Sequence, residues 1–219
     1  MRKKCVLKLL TGVMVLTLAA ANAAWADETG NMVFFRGGWA GMTSDRSAEA
    51  LTDVNGANGL SSGDSGYYVG AGLDLVLSKD VWGMMSKTWA LGEIGVEYKN
   101  LGSTETCQAV AALLGQGCNK KHAVQITMLT VDIAPKIKFM EGSRLRPWII
   151  PIGLDFHVIS PPSNGITVLD IGVQWGAGLE YRLYKAFHLG LDGRFHLASG
   201  HTGTVNNFGT AGIYLGIAF

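Results

Sequence analysis

The chain has 219 residues, 48% hydrophobic and 16% charged, with 18 basic residues against 17 acidic ones. That balance gives no electrostatic case for a nucleic-acid partner, and the length suits one domain. The 30 glycines accompany apolar residues that mostly alternate with polar or small ones. No stretch beyond the first 26 residues looks like a membrane-spanning helix.

Residues 1–26 have the layout of a cleaved secretory signal peptide. Arg2, Lys3, Lys4 and Lys8 form a basic leader, an apolar run extends from Val6 to Ala21, and Ala24-Trp25-Ala26 is a small-x-small cleavage site. Ala21-Asn22-Ala23 is a second candidate cut. The run is short of the roughly 20 residues a membrane anchor needs. Cys5 lies in the leader, away from the cut, so lipid attachment is not indicated. Residues 27–219 then form the mature domain, with 14 basic and 17 acidic residues and a formal charge of −3. Its two cysteines, Cys107 and Cys118, are expected to form one disulfide in an oxidising compartment. Such a staple can contribute about 3 kcal/mol.

In the mature chain, period-two alternation marks eight strands, because successive strand side chains point to opposite faces. The first is 32–40, with Arg36 on the polar face. In 67–77, Tyr67, Val69, Ala71, Leu73, Leu75 and Leu77 oppose Tyr68, Gly70, Gly72, Asp74 and Val76. In 89–98, Ile94, Val96 and Tyr98 oppose Glu93 and Glu97, and Trp89 breaks the pattern. In 124–139, Asp132, Lys136 and Lys138 lie on the polar face, and Pro135 needs a bulge or bend because it cannot donate to a ladder. In 148–158, Trp148, Ile150, Ile152, Leu154 and Phe156 are read as one apolar face opposite Asp155 and His157. Strand 169–183 turns Asp170, Glu180 and Arg182 to the polar side, and 187–197 does the same with Asp192, Arg194 and His196. Strand 209–219 ends the chain at Phe219.

Eight antiparallel strands close into an all-β, up-and-down barrel with both chain ends on one side. The connections near 40–66, 99–123, 159–167 and 198–207 form the outer class, and those near 78–88, 140–147 and 183–186 the periplasmic class. Segment 78–88 is long for a periplasmic turn, and 159–167 is short for an outer loop. Phe35, Phe139, Trp148, Tyr181, Phe187 and Phe219 read as one aromatic girdle, and Trp39, Tyr67, Tyr98, Phe156 and Phe195 as the other. A secreted β-sandwich or lipocalin-like barrel is the soluble alternative, with the apolar face inside. The bulky apolar face, the Gly-rich polar face and the aromatic end favour the membrane.

The ending Gly212-Ile213-Tyr214-Leu215-Gly216-Ile217-Ala218-Phe219 resembles the terminal signal of outer-membrane barrels. Arg146-Pro147-Trp148-Ile149-Ile150-Pro151-Ile152-Gly153 and Leu189-Gly190-Leu191-Asp192-Gly193-Arg194-Phe195 are similar to strands of small barrels. Over most of 31–219 the chain resembles the eight-stranded class of outer membrane proteins A, X and W. That resemblance implies an outer-membrane location in contact with lipid, and Phe219 as the signal read by the barrel assembly machinery. It implies a structural or surface-interaction role, with a narrow porin-like path for small solutes as the alternative and a lipid-modifying enzyme as the third option. Loops 40–66 and 99–123 are the candidate surface for an extracellular ligand.

A barrel of eight strands is only wide enough for its own side chains or one small ligand. Arg36, Asp74, Glu93, Glu97, Asp132, Lys136, Asp155, Glu180, Arg182, Asp192 and Arg194 are therefore expected to pair as an ionic network, since a buried unpaired ion is costly. Positions four apart on a strand are about 13 Å apart. His188, Asp192 and His196 therefore do not make a metal triad by themselves. Lipid A deacylases of this size carry a His-x-Ser-Asn motif, and Phe195-His196-Leu197-Ala198-Ser199 matches it poorly, with the serine displaced and His196 turned inward. No catalytic residue, cofactor or metal is expected from the spacing.

Overall fold

The computed structural model describes residues 30–43, 65–106, 122–160, 168–199 and 206–219. The leader, Cys107, Cys118 and most of loops 40–66 and 99–123 lie outside the described residues.

Eight antiparallel strands form a closed barrel in which each pairs with its sequence neighbours and the last returns to the first. They are β1 (Met32–Met42), β2 (Ser65–Ser78), β3 (Trp89–Thr106), β4 (His122–Lys138), β5 (Leu145–Ser160), β6 (Val168–Tyr184), β7 (Phe187–Ala198) and β8 (Phe208–Ala218). Closure leaves no unpaired edge, the condition for a sheet in lipid. The β1–β8 seam runs from Met32 opposite Ala218 to Met42 opposite Phe208, and the Phe219 amide donates to the Asn31 carbonyl at 2.9 Å. The β2–β3, β4–β5 and β6–β7 connections gather with Asn31 and Phe219 at one end, called here the turn end; the other four connections mark the loop end.

Three elements differ from their sequence reading. β3 and β4 continue to Thr106 and from His122, pairing through a register shift between Asn100 and Ser103. Segments read as loop are thus partly sheet. Residues 79–88, long for a turn, close on themselves. Met85 N donates to Asp80 O at 3.0 Å and Trp82 N to Ser78 Oγ at 2.8 Å. The Ser78 hydroxyl donates to Asp80 Oδ1 at 2.8 Å and, with backbone amides, holds that carboxyl below its usual range.

The third correction concerns β5. Three steps from Ile150 to Gly153 face two on β6, and five from Ile149 to Leu154 face four on β4. One extra residue at Pro151–Ile152 therefore inverts the alternation. Trp148 and Ile150, read as lipid-facing, lie inside, with Trp148 1% exposed. Asp155 and His157 keep their inward assignment because they lie beyond the bulge. Pro135 projects outward on β4 within the stretch unpaired with β5, where its missing donor costs nothing to that ladder. Trp89, the misfit of its strand, is an inward ring at the turn end, with the Arg146 guanidinium 4.1 Å above it.

The interior is layered. At the loop end Ala40, Tyr68, Leu101, Ile126, Met128, Ile159 and Phe208 form an apolar plug. At the turn end Met32, Phe34, Ala134, Trp148, Ile150 and Tyr214 form a second. Inward glycines make room for these rings. A Cβ on Gly72 would strike Phe34, one on Gly178 would strike Trp148, and one on Gly190 would strike Tyr214. Each of these glycines lies directly across the ladder from its ring. The Gly-rich face is thus a set of seats for aromatic side chains.

Candidate functional site: the ionic interior

Between the plugs lies a buried ionic layer. Arg36, from β1, reaches across the barrel to β3 and β4. Its guanidinium meets Glu93 at 3.0 Å, Glu97 at 2.7 Å and Asp132 at 2.7 Å. Arg194, from β7, meets the same Glu93 at 2.6 Å and its neighbour Asp192 at 3.0 Å. Lys136 Nζ lies 2.9 Å from Asp74 and 3.0 Å from Glu93. Asp74 and Glu93 are directly opposite on β2 and β3. Like charges so placed repel, and Lys136 bridges them. Glu93 thus receives three cations.

Two extensions leave this centre. Toward the turn end, Lys138 Nζ meets Glu180 at 2.8 Å. Glu180 also accepts from the Tyr214 hydroxyl at 3.1 Å and pairs with His188 at 3.0 Å. The Trp148 indole donates to Tyr214 Oη at 3.0 Å, tying the plug to the ions. Toward the loop end, Lys99 meets Glu97 at 2.5 Å and donates to Thr130 Oγ1 at 2.8 Å. Thr130 Oγ1 is 3.0 Å from His157 Nδ1, and His196 Nδ1 is 2.8 Å from Asp155 Oδ2. Tyr68 donates to Asp192 at 3.1 Å, joining the loop-end plug.

The structure brings Arg36, Asp74, Glu93, Glu97, Asp132, Lys136, Glu180, Asp192 and Arg194 into this connected set. Asp155 is buried, and its ion partners among the described residues are two histidines. Arg182 is half-buried at the turn-end mouth, opposite His188. There it lines a cavity of about 310 Å³ with Trp89, Lys138, Arg146, Glu180 and His188. Sequence reading missed Lys99, which stands where β3 had been ended, and the meeting of His157 with His196, whose strands are not adjacent. His196 is fully buried, and Ser199 hydrogen-bonds Asp170 instead of a histidine.

The outer surface is the inverse of the interior. Phe35, Val69, Ile94, Ile133, Leu154, Ile171, Leu191 and Ile213 are exposed, as are the girdle rings Trp39, Tyr67, Tyr98, Tyr181, Phe187 and Phe195. Trp175, mid-strand in β6, stacks on Phe195 at 6.4 Å and so stands level with the loop-end part of β7. Trp148 leaves the girdle for the interior.

No protein-family model and no curated protein matches the sequence. Solved structures do match. The outer membrane protein OprG from Pseudomonas aeruginosa is 14% identical with a TM-score of 0.50, over 87% of this chain and 97% of that one. Neisserial surface protein A is 12% identical with a TM-score of 0.49, over 87% and 98%. The outer membrane enzyme PagL is 14% identical with a TM-score of 0.46, over 86% and 99%. At these identities the likeness is one of fold. Closed, antiparallel and eight-stranded, the chain has the fold of the small outer-membrane β-barrels.

Proposed function

We propose that the chain is an integral outer-membrane barrel with a closed interior, acting as a structural or surface-interaction protein. One observation carries the reading: large apolar side chains cover the outside while carboxylates, lysines and arginines fill the inside. Water as surrounding solvent would select the opposite arrangement, and lipid selects this one. The two apolar plugs above and below the ionic layer argue against a solute path. The cavity at the turn end stops against Met32, a member of the second plug.

The reading includes removal of residues 1–26, a Cys107–Cys118 disulfide, recognition of Phe219 by the assembly machinery, and ligand contact through loops 40–66 and 99–123. Intact mass of the protein recovered from outer membranes tests the first two: loss of the leader and of two hydrogens is expected. The closed interior is tested in planar lipid bilayers with refolded protein. The expected trace is flat; reproducible unit conductance that disappears with unfolding would overturn the reading in favour of a narrow channel.

A further inference from the structure

We propose that Asp155, His157 and His196 hold one divalent transition-metal ion of the zinc class inside the barrel. β5 supplies Asp155 and His157, and β7 supplies His196. Their ligand atoms lie within 4.8 Å of one another, and all three residues are buried. Asp155 Oδ2 is 2.8 Å from His196 Nδ1 and 3.7 Å from His157 Nε2. Bonds to zinc of about 2.0–2.2 Å place tetrahedral ligands about 3.4 Å apart, which small rotations of these side chains reach. Two imidazoles and one carboxylate suit a borderline ion, whereas calcium and magnesium take mostly oxygen.

Two independent observations point to a cation here. The first is unmet bonding. His157 Nε2 and Asp155 Oδ1 are buried without a hydrogen-bond partner among the described residues, although buried polar groups are nearly always satisfied. The second is charge. Among the described residues, eight buried carboxylates stand against six buried Lys and Arg side chains. The shortfall is two positive charges, the charge of one divalent ion. It falls near Asp155, which lies directly opposite Asp132. Asp132 has Arg36 and Arg194, while the ion partners described for Asp155 are the two imidazoles. The other carboxylate with no Lys or Arg ion pair described, Asp170, accepts from Ser199 and Asn206 and lies across the ladder from His157.

The surroundings orient the ligands. Thr130 Oγ1 at 3.0 Å fixes the far nitrogen of His157, the outer-partner arrangement usual for metal-binding imidazoles. Phe208 stacks on His196 at 4.2 Å with 14° between planes. Phe208 belongs to the loop-end plug, so the ion enters as the barrel folds and then exchanges slowly.

The test uses full mature protein refolded with Co²⁺ or Zn²⁺ and dialysed, in a background carrying His122→Gln and His201→Gln. The expected result is about one ion retained per chain, with intense visible Co²⁺ bands of tetrahedral type. Asp155→Asn and His157→Gln should each weaken retention more than about 10-fold, in line with or beyond the loss of an outer partner, and His188→Gln should not. Absence of retained ion, or retention indifferent to Asp155→Asn and His157→Gln, overturns the proposal. Should those variants not fold, the imidazole resonances of the folded background protein decide. Co²⁺ must perturb two of them selectively; perturbation of none, or of His188 alone, overturns it.

Discussion

Glu93 accepts charge from Arg36, Lys136 and Arg194 at once, at 3.0, 3.0 and 2.6 Å. A buried ion pair adds little against an apolar substitute, but removing one partner strands the others. Glu93→Gln keeps the shape and leaves three cations short of a carboxylate, so a loss of about 3–5 kcal/mol is expected. Urea unfolding in lipid vesicles measures it, with Glu141→Gln at the turn end as a reference expected within about 0.5 kcal/mol of wild type. Gly190 tests the aromatic seats. Its missing side chain is the space that Tyr214 occupies. Gly190→Val displaces the Tyr214 ring and with it the bonds to Trp148 and Glu180. Overpacking of this kind costs about 1–3 kcal/mol, so the unfolding midpoint should fall, and pairing Gly190→Val with Tyr214→Ala should recover part of the loss.

At the scale of the element, β5 shows what alternation in a sequence does and does not determine. All eight strands were legible, and so was the inward face of β2, β6, β7 and β8, because there polar or small residues mark most of the inward positions. Trp148-Ile149-Ile150-Pro151-Ile152 carries no such mark. Its parity is set by the inserted residue and by neighbouring strands, neither of which is a local property. The outer part of β3 was illegible for a different reason: beyond the apolar belt neither face must be apolar, so Lys99 and Asn100 read as loop. The His157–His196 meeting was hidden because side chains of non-adjacent strands converge across a lumen, a relation no spacing along one strand encodes. Deleting Ile152 tests the bulge. Trp148 and Asp155 are seven positions apart and share the inward face only because of the bulge; without Ile152 they are six apart and share it in a regular strand. The expected outcome is a chain that keeps a heat-modifiable folded band on a gel, whereas deleting Val131 from the regularly paired part of β4 makes inward Thr130 and Asp132 adjacent, turns one of them to lipid and should abolish the band.

For the whole molecule, the decisive property is which side faces hydrocarbon. Ile213 lies mid-strand on β8, 56% exposed, beside Leu191 on β7. In a soluble barrel an arginine at such an outward position would be nearly neutral. In a bilayer it costs about 2–4 kcal/mol near the midplane. Ile213→Arg should therefore lower stability in vesicles by that amount, and a change within about 0.5 kcal/mol would favour the soluble reading.

The seam between β1 and β8 separates the ring from the order in which its chain is written. Asn31 and Phe219 are hydrogen-bonded neighbours, so the ends can be joined by a short linker and the chain reopened between 107 and 121. Such a circular permutant keeps every strand pair and should still reach the barrel in micelles. It no longer ends in Phe219, so it separates the closing of the ring, which Phe219 shares with Asn31, from the assembly signal proposed above for the same residue.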